Sequence, residues 1–515
     1  MQRTVKRVLF ISISSVERFS NTGVDQLAGY LRRKGYCVDI QYFHKHESVE
    51  EIQRSVLGAY DVYGFSVVGP NYSKCVRVMN FIKENEPECT ISFGGAFATM
   101  YYREILNENE NLDYIVLGDG EEPTEALLIS LFESRKLNNP NVASKNDLED
   151  KRACYSEIVS HHPAYDYYEK DCRSENVKKT HSMLTKTNVC TGHCTFCFER
   201  KGKIIYRNID EIVQEIEYVH LKYGVKKFYF CDDDLLDPND GAIRKRIEEL
   251  CTKIMHLGYK LVLTCFIKAV SFKDKEEDKK LLKLMYRAGF SSMFVGIEAA
   301  NEKDLRIYNK KAKTSDNYTI MKLLEEAGIY PVIGFINLNP YSTYSTLESI
   351  KTNFNFLVQH NISKVALYIS ILRPYKNTPI YRMMLRDGLI DKEYAFNDFM
   401  NYSFVDKQIE QIADFVVNKI YPYFDNLEIE FEWVEELYYD CLHVNSTCVL
   451  LQNDIQNIKE RQQFIMTSFF HKLYVDTDLF WCEKHLDELF DFLREIQPEL
   501  KKLYQKLLEL YETEA

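Results

Sequence analysis

The sequence predicts an α/β protein: a doubly wound parallel sheet at the amino end, then an incomplete parallel barrel of six strand-helix units, then a mostly helical tail. Three observations predict this. Short apolar runs alternate with helix-spaced stretches up to about residue 137, a second alternating series starts near residue 181, and strand-like runs fade after Asp391. The expected divisions are 1–137, a connector over 138–180, 181–390 and 391–515.

The first series opens with the buried-strand run Val8-Leu-Phe-Ile-Ser-Ile, followed by helical spacing from Val24 to Lys34 and a strand pattern at Tyr36-Cys-Val-Asp-Ile-Gln-Tyr. Val62-Tyr-Gly-Phe-Ser-Val-Val, Thr90-Ile-Ser-Phe-Gly-Gly and Tyr114-Ile-Val-Leu-Gly-Asp-Gly are the next strands, each separated by a helical stretch. Glycines at their carboxyl ends, Gly94, Gly95, Gly118 and Gly120, stand where a doubly wound sheet receives a ligand. The connector is polar and irregular. The second series has strands at Ser182-Met-Leu-Thr, Lys227-Phe-Tyr-Phe, Leu261-Val-Leu-Thr-Cys-Phe, Met293-Phe-Val-Gly-Ile-Glu, Val332-Ile-Gly-Phe-Ile and Lys364-Val-Ala-Leu-Tyr-Ile-Ser. Helices such as Ile209 to Tyr223 and Tyr318 to Ala327 lie between them, the order of a parallel barrel. The tail carries amphipathic runs around Gln408 to Ile420 and Leu486 to Tyr511.

Composition narrows the function. The chain has 515 residues, 45% hydrophobic and 28% charged, enough apolar content for several cores. Its net charge of −12 and pI near 5.6 argue against a nucleic-acid partner. Charged residues interrupt every apolar run before the roughly eighteen residues a membrane helix needs, so no membrane partner is expected. With no signal-peptide pattern at the start, its 14 cysteines are expected to be reduced and the protein cytoplasmic.

Three of those cysteines cluster. Cys190-Thr-Gly-His-Cys194-Thr-Phe-Cys197 follows the first barrel strand, and barrel active sites are built at the carboxyl ends of strands. Thiolates this close select zinc or an iron-sulfur cluster. Zinc wants a fourth ligand, and His193, wedged between two thiols, is too constrained to complete a tetrahedron.

This loop resembles the C-x3-C-x2-C motif of the radical S-adenosylmethionine (SAM) superfamily, in which an aromatic residue, here Phe196, precedes the last cysteine. The resemblance implies that Cys190, Cys194 and Cys197 hold three irons of a [4Fe-4S] cluster whose fourth iron binds SAM, the cofactor cleaved to a 5'-deoxyadenosyl radical. It also implies a (β/α)6 TIM-like barrel. In similar enzymes the acidic end of the second barrel strand, here Phe228-Tyr-Phe-Cys-Asp-Asp-Asp234, meets the SAM amino group; Asp232 and Asp233 are the candidates, with a helix N-cap or a solvated acidic turn as the alternative. Gly296-Ile-Glu298-Ala-Ala-Asn-Glu is similar to the family's fourth-strand segment and places Glu298 near the SAM ribose or carboxyl end. Lys268 stands where many relatives carry arginine and is expected to be solvated. Leu338 and Asn377 replace family glycines, and either line the substrate pocket or, respectively, pack in the core and tolerate a positive φ.

The amino-terminal series resembles, in order and spacing, the Rossmann-like cobalamin (B12)-binding domain of one radical SAM class. Ser66 and Thr99 would donate to the corrin amides, and Gly94, Gly95, Gly118 and Gly120 would let its flat face approach. No D-x-H-x-x-G segment follows the first strand and His44 and His46 have the wrong context, so the domain either holds cobalamin without a histidine ligand or is a scaffold that has lost it. The tail, acidic over Glu428 to Asp440, is expected to cap the substrate side of the barrel, and its Cys441, Cys448 and Cys482 to be buried thiols. The expected activity is cobalamin-dependent radical chemistry, such as methyl transfer to carbon of a natural-product or peptide substrate, with a reductant such as flavodoxin or ferredoxin as partner. A cobalamin-independent dehydratase, epimerase or coupling enzyme, and a non-catalytic metal-binding scaffold, are the alternatives.

Overall fold

The computed structural model describes residues 6–14, 21–44, 46–149, 151–153, 163–170, 180–187, 189–198, 203–237, 241–344, 350–391, 402–424 and 430–513. Its contacts divide the chain into two compact units, Met1–Val189 with Arg200–Val225, and Cys190–Glu199 with Lys226–Ala515.

In the first unit, β1 (Arg7–Ile13), β2 (Cys37–Phe43), β3 (Val62–Ser66), β4 (Thr90–Gly94), β5 (Tyr114–Val116) and β6 (Val142–Ala143) form a sheet in the order β2-β1-β3-β4-β5-β6. All pairs are parallel except β5 with β6. Val8 to Ile11 is buried throughout because helices cover both faces of such a sheet. Helix Thr22–Arg33 begins at Asn21, whose side chain accepts from the Val24 amide. Its Val24, Ala28 and Leu31, at helical spacing, pack with Phe10, Ile40, Val62 and Leu128. The described part of the connector is more ordered than its polar sequence suggests. It supplies β6 and helix Asp166–Lys170, whose Asp166 accepts from both terminal nitrogens of Arg32. A two-residue strand leaves too short a pattern to recognise. β7 (Thr180–Met183) and helix Ile209–Tyr223 also belong to this unit.

In the second unit, β8 (Lys227–Phe230), β9 (Val262–Lys268), β10 (Phe290–Glu298) and β11 (Tyr330–Phe335) pair in parallel in sequence order. Leu263, Cys265, Met293, Val295 and Ile333 on one face are buried against helices, and Phe335 stacks there on Phe356 of helix Ile350–Gln359. The opposite face carries Phe266, Lys268, Phe294, Gly296 and Glu298 and is only half-buried.

The expected sixth strand over Lys364 to Ser370 is not one. Val365–Tyr368 forms a short helix, and the parallel pairing shrinks to a bridge between Leu338 and Ile371. The carbonyls a ladder would use are occupied by side chains: Tyr474 and Asn337 donate to the Tyr368 carbonyl, and Tyr421 to that of Ile369. The described tail is helical, as expected, but helix Phe431–Val444 lies at the amino ends of the barrel strands rather than on the substrate side. Lys227, at the start of β8, pairs with Asp440 and Glu436; Ser291 at the start of β10 donates to Asp440; Tyr330 at the start of β11 donates to Glu435. The acidic stretch therefore meets buried cations instead of solvent. Cys441, Cys448 and Cys482 are buried.

Candidate active site

The cysteine loop is anchored at its middle. The Thr195 amide donates to the Tyr308 carbonyl, its hydroxyl to the Ile307 carbonyl, and its own carbonyl accepts from Ile380. Asn309 donates to the His193 carbonyl. Phe196 meets the Tyr308 ring edge-on at 5.4 Å, beside buried Leu305 and Ile380. The Gly192 amide donates to Cys190 Sγ at 3.3 Å, and a Cβ on Gly192 would sit 3.3 Å from Cys190 Sγ and 3.8 Å from Cys194 Sγ. Desolvation first, then the negative charge of Cys194, Asp233, Cys190 and Glu298, pushes the Cys197 thiol up to about 12. Desolvation also raises Cys194, against the pull of Lys310 and Lys268.

The strand ends supply the rest. Asp232 and Asp234 are fully buried and Asp233 is exposed. Lys268 is not solvated as expected: its Nζ lies 2.8 Å from Asp234 Oδ2 and donates to Thr191 Oγ1 at 2.8 Å. It ties the acidic turn after β8 to the residue following Cys190, because a buried lysine must find counter-charge. Glu298 ends β10 at a bulge with φ of 65°, a left-handed conformation that is strained for a non-glycine residue. Its Oε1 is 3.3 Å from Lys310 Nζ. A Cβ on Gly296 would lie 2.8 Å from that carboxylate and 3.0 Å from that ammonium, so glycine there makes room for the pair. Desolvation raises the Glu298 pKa, and Lys310 opposes the rise. Leu338 is fully buried in the core, and Asn377 adopts φ of 68°.

In the first unit the strand order reverses between β1 and β3, the switch point where such sheets bind ligands. Asn21 Nδ2 donates there to Ser12 Oγ at 3.1 Å and Ser66 Oγ at 3.0 Å. Gly95 has φ of 97°, and a Cβ on it would come within 2.8 Å of the Val67 carbonyl oxygen. Thr99 Oγ1 accepts from the Gly118 amide at 2.9 Å, joining the loops after β4 and β5. Gly94 and Gly120 flank these positions, with Leu27 3.2 Å from a Cβ on Gly120. Residues 15–20, after β1, lie outside the described residues.

Comparison with known families decides what this arrangement is. The B12 binding domain family matches residues 9–128, and the Radical SAM superfamily matches residues 184–352. Residues 184–352 thus form a radical SAM domain that follows a B12-binding domain. The chain's curated relatives include the anaerobic magnesium-protoporphyrin IX monomethyl ester cyclase of Cereibacter sphaeroides, 26% identical over 406 residues, 74% of this chain and 62% of that protein. They also include the cytidylyl-2-hydroxyethylphosphonate methyltransferase of Streptomyces wedmorensis, 20% identical over 379 residues, 65% of this chain and 68% of that protein. The match spans only 50% to 62% of the length of three cyclase relatives. In fold the chain is similar to the cobalamin-dependent SAM radical enzyme OxsB, solved with aqua-cobalamin and SAM bound, at a TM-score of 0.73 and 15% identity over 98% of this chain and 79% of that one.

Cys190, Cys194 and Cys197 offer three soft thiolates on one loop, the donor set of an iron-sulfur cluster. Three residues of the site were not singled out from the sequence: Asp234 was indistinguishable from its acidic neighbours, Thr191 is defined only by the lysine that reaches it, and Lys310 has no motif around it.

Proposed function

We propose that the chain is a cobalamin-dependent radical SAM enzyme that transfers a methyl group to an unactivated carbon of a small natural-product or peptide substrate. Cys190, Cys194 and Cys197 would hold the [4Fe-4S] cluster, with Phe196 backing the loop; Asp232, Asp233 and Glu298 would position SAM. Ser66, Gly94, Gly95, Thr99, Gly118 and Gly120 would form the cobalamin crevice. When bound, the cluster supplies the electron that cleaves SAM, and cobalamin supplies a methyl carrier.

The protein's own groups bind and orient. Lys268 holds the cysteine loop to Asp234, and Lys310 favours the charged form of Glu298, which can then accept hydrogen bonds from a ligand. The observation that carries the reading is the anchored cysteine loop, with Cys194 in the field of Lys310 and Lys268 at the carboxyl ends of parallel strands. Among the described residues no helix is long and apolar enough to cross a membrane. We place the enzyme in a reducing cytoplasm, with flavodoxin or ferredoxin as electron donor.

The magnesium-protoporphyrin cyclase relatives favour a second reading, bond formation within the substrate without methyl transfer. Anaerobically reconstituted protein with SAM and dithionite should release 5'-deoxyadenosine, and a triple Cys→Ala variant should lose both that product and the cluster's absorbance. S-adenosylhomocysteine formed alongside it supports methyl transfer; 5'-deoxyadenosine alone, with cobalamin retained, supports the second reading. Protein that carries the cluster but makes neither product is the non-catalytic scaffold.

A further inference from the structure

Glu298 ends β10 with φ of 65°, a backbone conformation that residues with side chains rarely adopt. Ile297 is the extra residue of the bulge at which the pairing of β10 with β11 shifts register, and the Ala299 amide donates to the Ile297 carbonyl at 2.9 Å. A hydrogen bond that spans one residue of positive φ makes a γ-turn of the rare, strained kind. The turn sets where the carboxylate goes. Glu298 Oε1 lies 3.3 Å from Lys310 Nζ and 2.8 Å from where a Cβ on Gly296 would stand, and Oε2 lies 3.5 Å from a Cβ on Gly334. The side chain therefore folds back over the strand that it ends.

Two asparagines, from two different helices, hold the residues after the turn. Asn353, in helix Ile350–Gln359, accepts at Oδ1 from the Ala300 amide at 2.8 Å and from Asn301 Nδ2 at 3.1 Å. Its Nδ2 donates to the Asn337 carbonyl, just past β11, at 3.2 Å. Asn317, in helix Thr314–Ala327, donates to the Ala299 carbonyl at 2.9 Å, and the Glu298 carbonyl accepts from the Ile336 amide at 2.8 Å. Both asparagines are fully buried, and among the described residues the Oδ1 of Asn317 has no hydrogen-bond partner. Strain of this kind persists only where the surroundings hold it, and here it is held by carboxamides whose burial itself costs stability.

We propose that Asn353 and Asn317 are positioning residues for SAM that act through Glu298, by holding the γ-turn that aims its carboxylate. The inference rests on the radical SAM reading, in which Glu298 positions SAM, and extends it to two helices that carry no recognised motif. Loss of either carboxamide lets residue 298 relax to a negative φ and carries the carboxylate away from Gly296 and Lys310.

The test uses the full chain, reconstituted anaerobically with its cluster, with SAM affinity measured by isothermal titration and stability by Tm. Asn353→Ala should weaken SAM about tenfold, the worth of one hydrogen bond to a charged group. Glu298→Ala combined with Lys310→Met, which removes the carboxylate without leaving a buried ammonium unpaired, should weaken SAM at least as much. Asn353→Ala added to that pair should lower Tm again but weaken SAM no further, because the asparagine has nothing left to aim. Leu357→Ala, which opens a cavity under the same helix, should lower Tm and leave SAM affinity unchanged. Asn317→Ala carries the same expectation as Asn353→Ala if the latter does not accumulate. Full SAM affinity in Asn353→Ala or Asn317→Ala, full SAM affinity without the Glu298 carboxylate, a second tenfold loss when Asn353→Ala joins the pair, or an equal loss in Leu357→Ala would each overturn the proposal. If the parent protein binds SAM, those results remove the positioning role alone; a parent that takes no SAM overturns the radical SAM reading and this proposal with it.

Discussion

At the scale of single residues, the charge balance around the thiols rests on two lysines that no motif announces. Lys310 and Glu298 are both mostly buried and paired at 3.3 Å, so each solves the other's desolvation problem. Lys310→Met should leave Glu298 as an unpaired buried carboxylate and cost about 3 kcal/mol, read as a lower urea midpoint with unchanged slope. Adding Glu298→Gln should recover most of that loss, and a double variant no better than the single one would show that Lys310 acts through other partners. Glu298 was legible because it ends a strand within a recognisable segment. Lys310 was not, since its role depends on chain reversal after β10, which brings it beside a residue twelve positions earlier. Lys268 was read wrongly for a related reason: its sequence shows a charge, and only its closeness to Asp234 and Thr191 shows that the charge is used.

At the scale of elements, the strands that seeded both sheets were readable because each is a short apolar run bounded by a helix pattern. The sixth barrel strand misled the same rule. Lys364 to Ser370 has strand composition, but its carbonyls are taken by Tyr474, Asn337 and Tyr421, and a ladder cannot form without free partners. Helix Phe431–Val444 shows the converse. Its sequence shows only that it is acidic, and in the structure Asp440 lies 2.9 Å from Lys227 and accepts from Ser291 at 2.6 Å. Burial disfavours the charged Lys227, yet Asp440 and Glu436 more than offset it and raise its pKa. Asp440→Asn should therefore destabilise the barrel and tail by about 3 kcal/mol, measured by urea unfolding, whereas Asp440→Asn with Lys227→Met should lie closer to the parent. Equal loss in both variants would mean the pair contributes little and packing of the helix carries the stability.

At the scale of the whole molecule, the two family matches fall on separate stretches of the chain, residues 9–128 within the first unit and residues 184–352 drawn from both units. A ligand that binds only the folded state protects the segment it touches, by about 2.7 kcal/mol at a hundredfold excess over its Kd. Hydrogen-exchange mass spectrometry should show hydroxocobalamin slowing exchange at Ser66, Gly94 to Thr99 and Gly118 to Gly120. SAM with the cluster should slow exchange at Cys190 to Cys197 and Gly296 to Glu298. No protection in the first set would identify the amino-terminal sheet as a scaffold that has lost its cofactor.

By itself the sequence determined the order of sheet, barrel and helical tail, the three cysteines at their spacing, and the glycine-rich strand ends. These are local signals, set by hydrophobic period and by residues adjacent along the chain. Tertiary structure alone decided which carboxylate Lys268 holds, where the tail packs, and that a sixth strand gives way to a helix. Each depends on burying charge or backbone polar groups beside residues distant in sequence, and the cost of burial is settled only when those partners meet.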